Sequence, residues 1–315
     1  MLRMHTAALI AGFLLDLLLG DPEWLYHPVR LIGKFISWAE KRLRKRGGNL
    51  RRSALLLTGS TVFVTMAITA LILAVLHLAG KWPLLIGMAL MDWMGIAVTS
   101  MAVEARGVEK ALGQDLPTAR KQVARIVGRD TQKLSEEEIV KATVETVAEN
   151  TTDGVVSPMF YAFLGGPVLL WGFKAASTLD SMVGYLDEKY RDIGWSSARM
   201  DDLLNYLPAR LTALLMVCAA FLTGLDGKNA FRIVMRDHAN HKSPNCAWSE
   251  AAAAGALRIQ LGGTHEYFGK PVEKPTIGDD ERPAEREDIR RVCRLLYGTS
   301  LLTIFLFALA CFTMV

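Results

Sequence analysis

Acidic side chains recur along one predicted helix and continue into the turn that follows it. A capping box formed by Ser135 and Glu138 predicts the start of this helix, which should run to about Asn150. Glu145 and Glu149 lie one helical turn apart, and Asn150 and Asp153 come soon after. Oxygen ligands of this kind suit Mg²⁺, whose coordination is often completed by the phosphates of a nucleotide. The pattern therefore indicates a magnesium site formed by Glu145, Asn150 and Asp153. A solvent-exposed acidic face has the same periodicity and is the alternative.

A second candidate site is the start of an alanine-rich segment. Ser243 followed by Pro244 is typical of an N-cap and a first helical position, which predicts a helix that begins at Pro244. Free backbone N–H groups at such an end attract anions, and His241 precedes it. This arrangement predicts a phosphate site, with ordinary capping of a surface helix as the alternative. Zinc bound by His238, His241 and Cys246 is disfavoured, because a convincing fourth ligand is missing.

A third candidate is a polar stripe next to an apolar segment. On a helix that begins at Lys174, Lys174 and Thr178 share one face and Asp180 lies on another. Unpaired charges in a membrane are costly and need an explanation. The stripe either binds a ligand or contains an internal salt bridge from Lys174 that only fixes packing. The chain has no P-loop spacing or other standard nucleotide fingerprint.

The composition indicates a membrane protein. Of the 315 residues, 51% are hydrophobic, and this excludes a disordered chain. Lys and Arg number 36 against 32 Asp and Glu, so the net charge of +4 gives no sign of a nucleic-acid partner. The four cysteines form no CxxC pair, which indicates neither a disulfide framework nor a zinc ribbon.

Six apolar runs must position the candidate sites. Three are long enough to cross a bilayer, namely 53–78, 84–103 and 297–315, and three are weaker, namely 6–19, 159–173 and 211–225. The run 6–19 lacks a signal-peptide cleavage site and is interpreted as retained. The charged, proline-rich segment 273–288 is predicted to be an exposed loop without a catalytic role. We predict an all-α fold, a polytopic integral membrane protein with helical cytoplasmic loops, forming a single domain over residues 1–315.

Basic residues predict the orientation of these helices. Nine Lys and Arg against three acids lie between Asp21 and Arg52, whereas the tip of the following hairpin carries only Lys81. Loops rich in Lys and Arg stay in the cytoplasm. We therefore expect a bacterial-type inner membrane location, with the 21–52 loop, the 104–153 stretch and the active site on the cytoplasmic face.

Two of the weaker runs raise the question of which side the polar stripe occupies. The runs 159–173 and 211–225 are at or below spanning length, and the Gly-Gly-Pro sequence at 165–167 should interrupt the first. We predict that both runs enter the membrane without crossing it completely. Lys174 and Asp180 would then lie on the cytoplasmic side.

Several segments resemble one known family. They read LLDLLLGDPEWLYHPVRLIG, ETVAENTTDGVVSPMFYAFLGGP, KAASTLDSMVGY, DDLLNYLPARL and HKSPNCAWSEAAAAGALRIQLGG. In this order, over nearly the whole chain, they are similar to the CobD/CbiB cobalamin-biosynthesis family, adenosylcobinamide-phosphate synthase. Family members often read SPNAG where this chain has Cys246 and Ala247 after Asn245. That difference further discourages a chemical role for Cys246.

The resemblance implies a multi-pass inner-membrane enzyme. It would join the corrinoid adenosylcobyric acid to aminopropanol, or to aminopropanol phosphate, and form an amide with consumption of ATP. ATP and Mg²⁺ are the implied cofactors, and the two reactants are the implied substrates. The lipid bilayer and other corrinoid-pathway enzymes are the expected partners, and no nucleic acid is expected.

The chain offers a candidate for each group that this reaction needs. His27, Glu145 and Asp153 are expected to be catalytic, with His27 positioning or deprotonating the amine. Glu145, Asn150 and Asp153 are expected to hold Mg²⁺. The residues expected to bind substrate or phosphate are Lys174, Thr178, Asp180, His241, Ser243 and Asn245. A membrane transporter and a non-catalytic membrane scaffold are the alternatives, since transporters also contain intramembrane acids and broken apolar segments.

Overall fold

The computed structural model describes residues 1–22, 26–185, 187–267 and 270–314. These residues pack as two compact units, each assembled from separate stretches of chain. The first unit contains Met1–Ala97, Ser157–Asn205 and Leu306–Val315, and the second contains Val98–Val156 and Tyr206–Phe305. The single domain over residues 1–315 stays a prediction.

Helices form most of both units. In chain order they are α1 (Leu2–Leu19), α2 (Pro28–Arg46), α3 (Leu50–Leu78), α4 (Lys81–Trp93), α5 (Val98–Leu112), α6 (Leu116–Val123), α7 (Glu136–Asn150), a π-helical segment (Thr151–Val156), α8 (Ser157–Val183), α9 (Trp195–Leu204), α10 (Tyr206–Leu222), α11 (Gly227–Asp237), α12 (Cys246–Leu257) and α13 (Glu287–Met314). The predicted helical fold is confirmed. The second unit also has one antiparallel hairpin, of β1 (Leu261–Tyr267) and β2 (Lys270–Ile277), that the sequence analysis missed. The predicted loop over 273–288 is therefore wrong for 273–277, where β2 pairs with β1.

Five helical stretches among the described residues are long and apolar enough to cross a membrane. They are Leu2–Leu19, Leu50–Leu78, Lys81–Leu112, Glu136–Val183 and Glu287–Met314. The helices that contain the runs 53–78, 84–103 and 297–314 are among them, as predicted. Helices α9 and α10, which meet at 46°, would make a sixth if they form one broken span. The chain is a multi-pass helical membrane protein by these criteria.

The Gly-Gly-Pro sequence bends α8, as predicted. Gly165 and Gly166 leave helical geometry, and Gly166 has φ of 63°, a left-handed value that favours glycine. Pro167 follows directly and has no backbone N–H to continue the hydrogen-bond ladder. The incomplete crossing of the runs 159–173 and 211–225 stays a prediction.

The connection after α8 contacts the basic loop within the first unit. The Arg44 guanidinium donates to the backbone carbonyl of Lys189 over 2.7 Å. Arg51, at the start of α3, forms an ion pair with Asp192 at 3.2 Å. Arg44 and Arg51 lie on either side of the short link between α2 and α3. The 187–192 segment therefore lies at the same end of α3 as this link, and on the same side of the membrane.

This arrangement predicts the labelling of single cysteines in intact cells. In a background without native cysteines, Lys41→Cys and Glu188→Cys should both resist a membrane-impermeant thiol reagent, since both positions would be cytoplasmic. Lys81→Cys, at the tip of the α3–α4 hairpin, should react. Opposite labelling at positions 41 and 188 would contradict the shared side, and labelling at 41 without labelling at 81 would contradict the orientation.

Candidate functional site: a buried acidic cluster

Helix α7 carries the predicted acidic residues into a change of helical type. The predicted capping box is confirmed: the Ser135 side chain accepts from the backbone of Glu138, and the Glu138 carboxylate accepts from the backbone N–H of Ser135. The helix ends at Asn150, as predicted, and continues as a π-helix that contains Asp153. A π-helix has more residues per turn than an α-helix, so it alters the direction in which Asp153 projects relative to α7. Such segments are frequent at functional sites.

The acidic face of α7 is not simply exposed to solvent. Glu145 has only 8% of its surface exposed. Its carboxylate forms an ion pair with Arg129 at 2.9 Å and accepts from the backbone N–H of Gly262, also at 2.9 Å. For Glu145 the solvated-face interpretation is therefore wrong. The Asn150 amide donates to the carbonyl of Thr146 over 2.9 Å, which turns its nitrogen back along its own helix.

Helix α12 begins at Cys246, two residues later than predicted. Asn245 is its N-cap and makes no side-chain capping hydrogen bond. The Ser243 hydroxyl accepts from the backbone N–H of Asn245 at 3.2 Å, and the backbone N–H of Ser243 donates to His241 Nδ1 at 3.0 Å. Local bonds of this type compete with the helix for its first residues, and this accounts for the shift.

Carboxyl groups surround the start of α12. The Cys246 thiol donates to Glu149 at 3.5 Å, and burial, reinforced by the charges of Glu149, Glu250 and Asp153, holds the pKa of this thiol well above its ordinary value. Cys246 is therefore an uncharged thiol, in agreement with the low expectation for its chemistry. The pKa of Glu250 is also raised, first by burial and then by the charges of Glu145 and Glu149.

Two cations partly offset this negative charge. Lys274 on β2 and Arg129 both favour the ionised form of Glu250, but burial and the neighbouring acids outweigh them. We call this group the acidic cluster, and its members are Arg129, Glu145, Glu149, Asp153, Cys246, Glu250 and Lys274. It holds four carboxyl groups against two basic side chains, so it is a place where an additional cation would be stabilised.

The histidine predicted to hold phosphate is neutral. Burial and the nearby Lys274 lower the pKa of His241 to about 4. Its Nδ1 atom accepts from the backbone of Ser243, so in the neutral ring the proton resides on Nε2. His241 can therefore donate a hydrogen bond to an anion but does not supply a positive charge at neutral pH.

The remaining predicted residues lie in the first unit. His27 is the N-cap of α2, where its Nδ1 atom accepts from the backbone of Val29 at 3.2 Å. Burial lowers the pKa of His27, with Asp21 opposing that effect and Lys174 adding to it. The Thr178 hydroxyl donates to the carbonyl of Lys174 at 2.6 Å within α8. These contacts give His27 a structural role, and its assignment as the amine base stays a prediction.

Three members of the acidic cluster, Arg129, Glu250 and Lys274, are not predicted from the sequence. Glu250 could have been found, because it is a single acid in an otherwise apolar alanine-rich helix. Such an acid is costly unless it has a partner or a function. Arg129 and Lys274 gave no such signal, because each lies in a segment where charged residues are common. Their position depends on how 124–135 and the hairpin fold onto α7 and α12.

Magnesium was expected at Glu145, Asn150 and Asp153. Among the described residues no three His, Cys, Asp or Glu side chains are grouped so as to hold a metal ion by themselves. The oxygen chemistry of the acidic cluster nevertheless suits Mg²⁺, which usually takes one or two carboxylates together with water and substrate phosphates. Glu145 is engaged by Arg129 and Gly262, and its assignment to Mg²⁺ with Asn150 and Asp153 stays a prediction.

The fold and this cluster together define a polytopic helical membrane protein with a buried, acid-rich site. The sequence model of the CobD/Cbib protein family matches residues 9–296. Among curated proteins, the chain is 48% identical to a cobalamin biosynthesis protein CobD of Listeria monocytogenes over 95% of this chain and 96% of the relative. It is 46% identical to a cobalamin biosynthesis protein CbiB of Salmonella arizonae over 98% of each. The chain therefore belongs to the CobD/CbiB family. No solved structure matches it significantly.

The charge imbalance of the acidic cluster predicts that two glutamine substitutions, Arg129→Gln and Glu250→Gln, affect the free energy of unfolding differently. Arg129→Gln leaves Glu145 buried among other acids, so we expect a loss of about 3–5 kcal/mol in the free energy of unfolding. Glu250→Gln replaces an acid by a neutral group of similar shape and should not reduce stability at neutral pH. Thermal unfolding of the purified protein in detergent measures both.

The raised pKa of Glu250 also predicts that the stability of the protein depends on pH. Because the pKa of Glu250 is higher in the folded protein than its ordinary 4.5, folding favours its protonated form, and the stability from that proton falls as pH rises above about 4.5. Glu250→Gln should remove this part of the pH dependence of the melting temperature. Equal destabilisation by Arg129→Gln and Glu250→Gln would contradict the excess of negative charge.

Proposed function

We propose that this protein acts in cobalamin biosynthesis as an amide-forming ligase. It would join adenosylcobyric acid to aminopropanol, or to its phosphate, at the expense of ATP. The observation that carries this proposal is the family match over residues 9–296 together with relatives named cobalamin biosynthesis protein. The location would be the inner membrane, with the acidic cluster facing the cytoplasm, where ATP is available.

The acidic cluster supplies groups that this reaction needs. A carboxylate must be activated before an amine can displace an oxygen from it, and an acyl phosphate is the simplest activated form. Mg²⁺ held by Glu149 and Asp153 would neutralise phosphate charge in that step. Lys274 contributes a second positive charge, and the neutral His241 and the hydroxyl of Ser243 can donate hydrogen bonds to phosphate oxygens.

Glu250 is the proposed proton acceptor for the amine. An ammonium group is not a nucleophile, so it must lose a proton before it attacks the activated carboxyl carbon. Burial and the charges of the adjacent Glu145 and Glu149 raise the pKa of Glu250, so its ionised form is a stronger proton acceptor than an ordinary carboxylate. Within the acidic cluster this favours Glu250 as the base. The roles of Lys174, Thr178 and Asp180 in binding the corrinoid, and of Asn245 in binding phosphate, stay proposals.

Transport is the second candidate function, and one observation favours it. Asp92 on α4 is fully buried in the first unit, and neither of its carboxylate oxygens has a hydrogen-bond partner among the described residues. Acids inside membrane helices often mark ion pathways, and the bend in α8 resembles the broken helices of transporters. A transporter would not form an amide in detergent solution.

Amide formation by the purified protein tests the proposal. With adenosylcobyric acid, aminopropanol phosphate, ATP and Mg²⁺ in detergent, the wild-type chain should yield the amide, and Asp153→Asn and Glu149→Gln should lower the rate by about 100-fold or more. The matched control is Glu137→Gln. Glu137 lies on the same helix and is paired with Lys141 at 2.8 Å, but it is not a member of the acidic cluster.

The control should keep the wild-type rate, and all three variants should retain the wild-type melting temperature. An inactive wild-type chain would contradict the ligase and favour transport or a scaffold. Full activity of Asp153→Asn and Glu149→Gln would remove the acidic cluster from the reaction.

A further inference from the structure

A groove runs between α2 and α3 in the first unit. It consists of two adjoining cavities of about 340 and 710 Å³, and Phe35 lines both. On α2 its lining residues include Leu31, Ile32, Phe35, Trp38, Ala39 and Arg42, which are spaced three and four apart and so share one helix face. On α3 they include Leu56, Ser60, Val64, Ile68 and Ile72, each one turn from the next. The two cavities adjoin at Phe35, and together they are called the groove between the antiparallel helices α2 and α3.

The chemistry of the groove changes along its length. The end lined by Leu31 and Ile68 is apolar, whereas the other end is lined by Arg42, Lys45 and Arg46. No salt bridge involves these three cations in the part of the chain that the structure describes, while their neighbour Arg44 is paired with Glu40 at 2.8 Å. The groove thus pairs an apolar channel with positive charge that the first unit does not neutralise.

The dimensions of the groove suit one leaflet of a bilayer. From Arg42 to Leu31 the helix rises about 16 Å, close to the roughly 15 Å of hydrocarbon in half a membrane. Trp38, beside Arg42, is 56% exposed, and tryptophan is enriched at the boundary between headgroups and acyl chains. The guanidinium of Arg42 lies 5.7 Å from the Trp38 ring centre. The charged end therefore fits the headgroup level and the apolar end fits the acyl region. The α2 part of the predicted 21–52 loop would then lie in the cytoplasmic leaflet instead of free in the cytoplasm.

We propose that this groove is a binding site for an anionic phospholipid. The lipid phosphate would be held by Arg42, Lys45 and Arg46, and one acyl chain would lie along the groove against Phe35 and Ile68. Phosphate oxygens suit these cations because charge-assisted hydrogen bonds are strongest to ionised acceptors. The proposal is independent of the proposed ligase activity.

Native mass spectrometry of the full chain in mild detergent tests the site. Phosphatidylglycerol and phosphatidylcholine with identical acyl chains are added, and the lipid-bound fraction gives each affinity. The wild-type chain should prefer phosphatidylglycerol, and a triple Arg42→Gln, Lys45→Gln, Arg46→Gln variant should weaken that lipid by about 100-fold, since each basic residue near an anionic headgroup contributes a factor of about five. Lys41→Gln removes one positive charge from an exposed position of α2 outside the groove and should change the affinity little, less than the factor of about five expected for each groove residue.

A second variant tests the apolar end. Val64→Phe places a larger side chain in the acyl region and should weaken both lipids, provided that its melting temperature equals that of the wild-type chain. If the Val64→Phe variant does not fold, Ile68→Phe is used for the same measurement. Equal affinity for the two lipids, an equal loss in Lys41→Gln, or unchanged lipid binding after the groove is filled would each overturn the proposal. Displacement of phosphatidylglycerol by adenosylcobyric acid would also overturn it, because the groove would then belong to the substrate.

Discussion

The ion pair between Arg129 and Glu145 is the interaction on which the second unit depends most. It joins the segment before α7 to the middle of that helix, and the same carboxylate also receives the backbone N–H of Gly262 at the start of the hairpin. Three separate pieces of chain are therefore fixed by one buried carboxylate. A charge removed from water is stable only with such partners. Arg129 is engaged by Glu145. Lys274 is the other basic member of the acidic cluster, which also contains Glu149, Asp153 and Glu250.

That shortage of positive charge links the fold to the proposed chemistry. Replacement of buried charged groups by apolar residues of similar volume often leaves the free energy of unfolding unchanged or raises it. Stability alone therefore does not explain buried acids. This chain instead retains acids on α7, on the π-helical segment and on α12. Burial, reinforced by the charges of these acids, raises the pKa of Glu250 and of Cys246. Perturbed groups of this kind cluster at functional sites.

The sequence predicted what depends on local pattern. Apolar length predicted the helices over 53–78 and 84–103, the Ser135 capping box predicted the start of α7, and the Gly-Gly-Pro sequence predicted the bend in α8. The sequence could not predict contacts between distant segments. Arg129 and Gly262 reach Glu145 only after folding, and the assignment of Glu145 to Mg²⁺ stays a prediction. Burial near Lys274 keeps His241 neutral, and its assignment to phosphate also stays a prediction. Periodicity cannot predict either effect, because both depend on which segments cover the side chain.

The most direct test of the excess negative charge is the response of the folded protein to Mg²⁺ and ATP. A ligand that binds the native state raises its stability by mass action, by about 2.7 kcal/mol at a concentration 100 times the dissociation constant. Thermal unfolding in detergent should therefore show a higher melting temperature for the wild-type chain with Mg²⁺ and ATP together, and little change for Asp153→Asn. An identical shift in both proteins, or no shift in the wild-type chain, would contradict a cation–phosphate site at the acidic cluster.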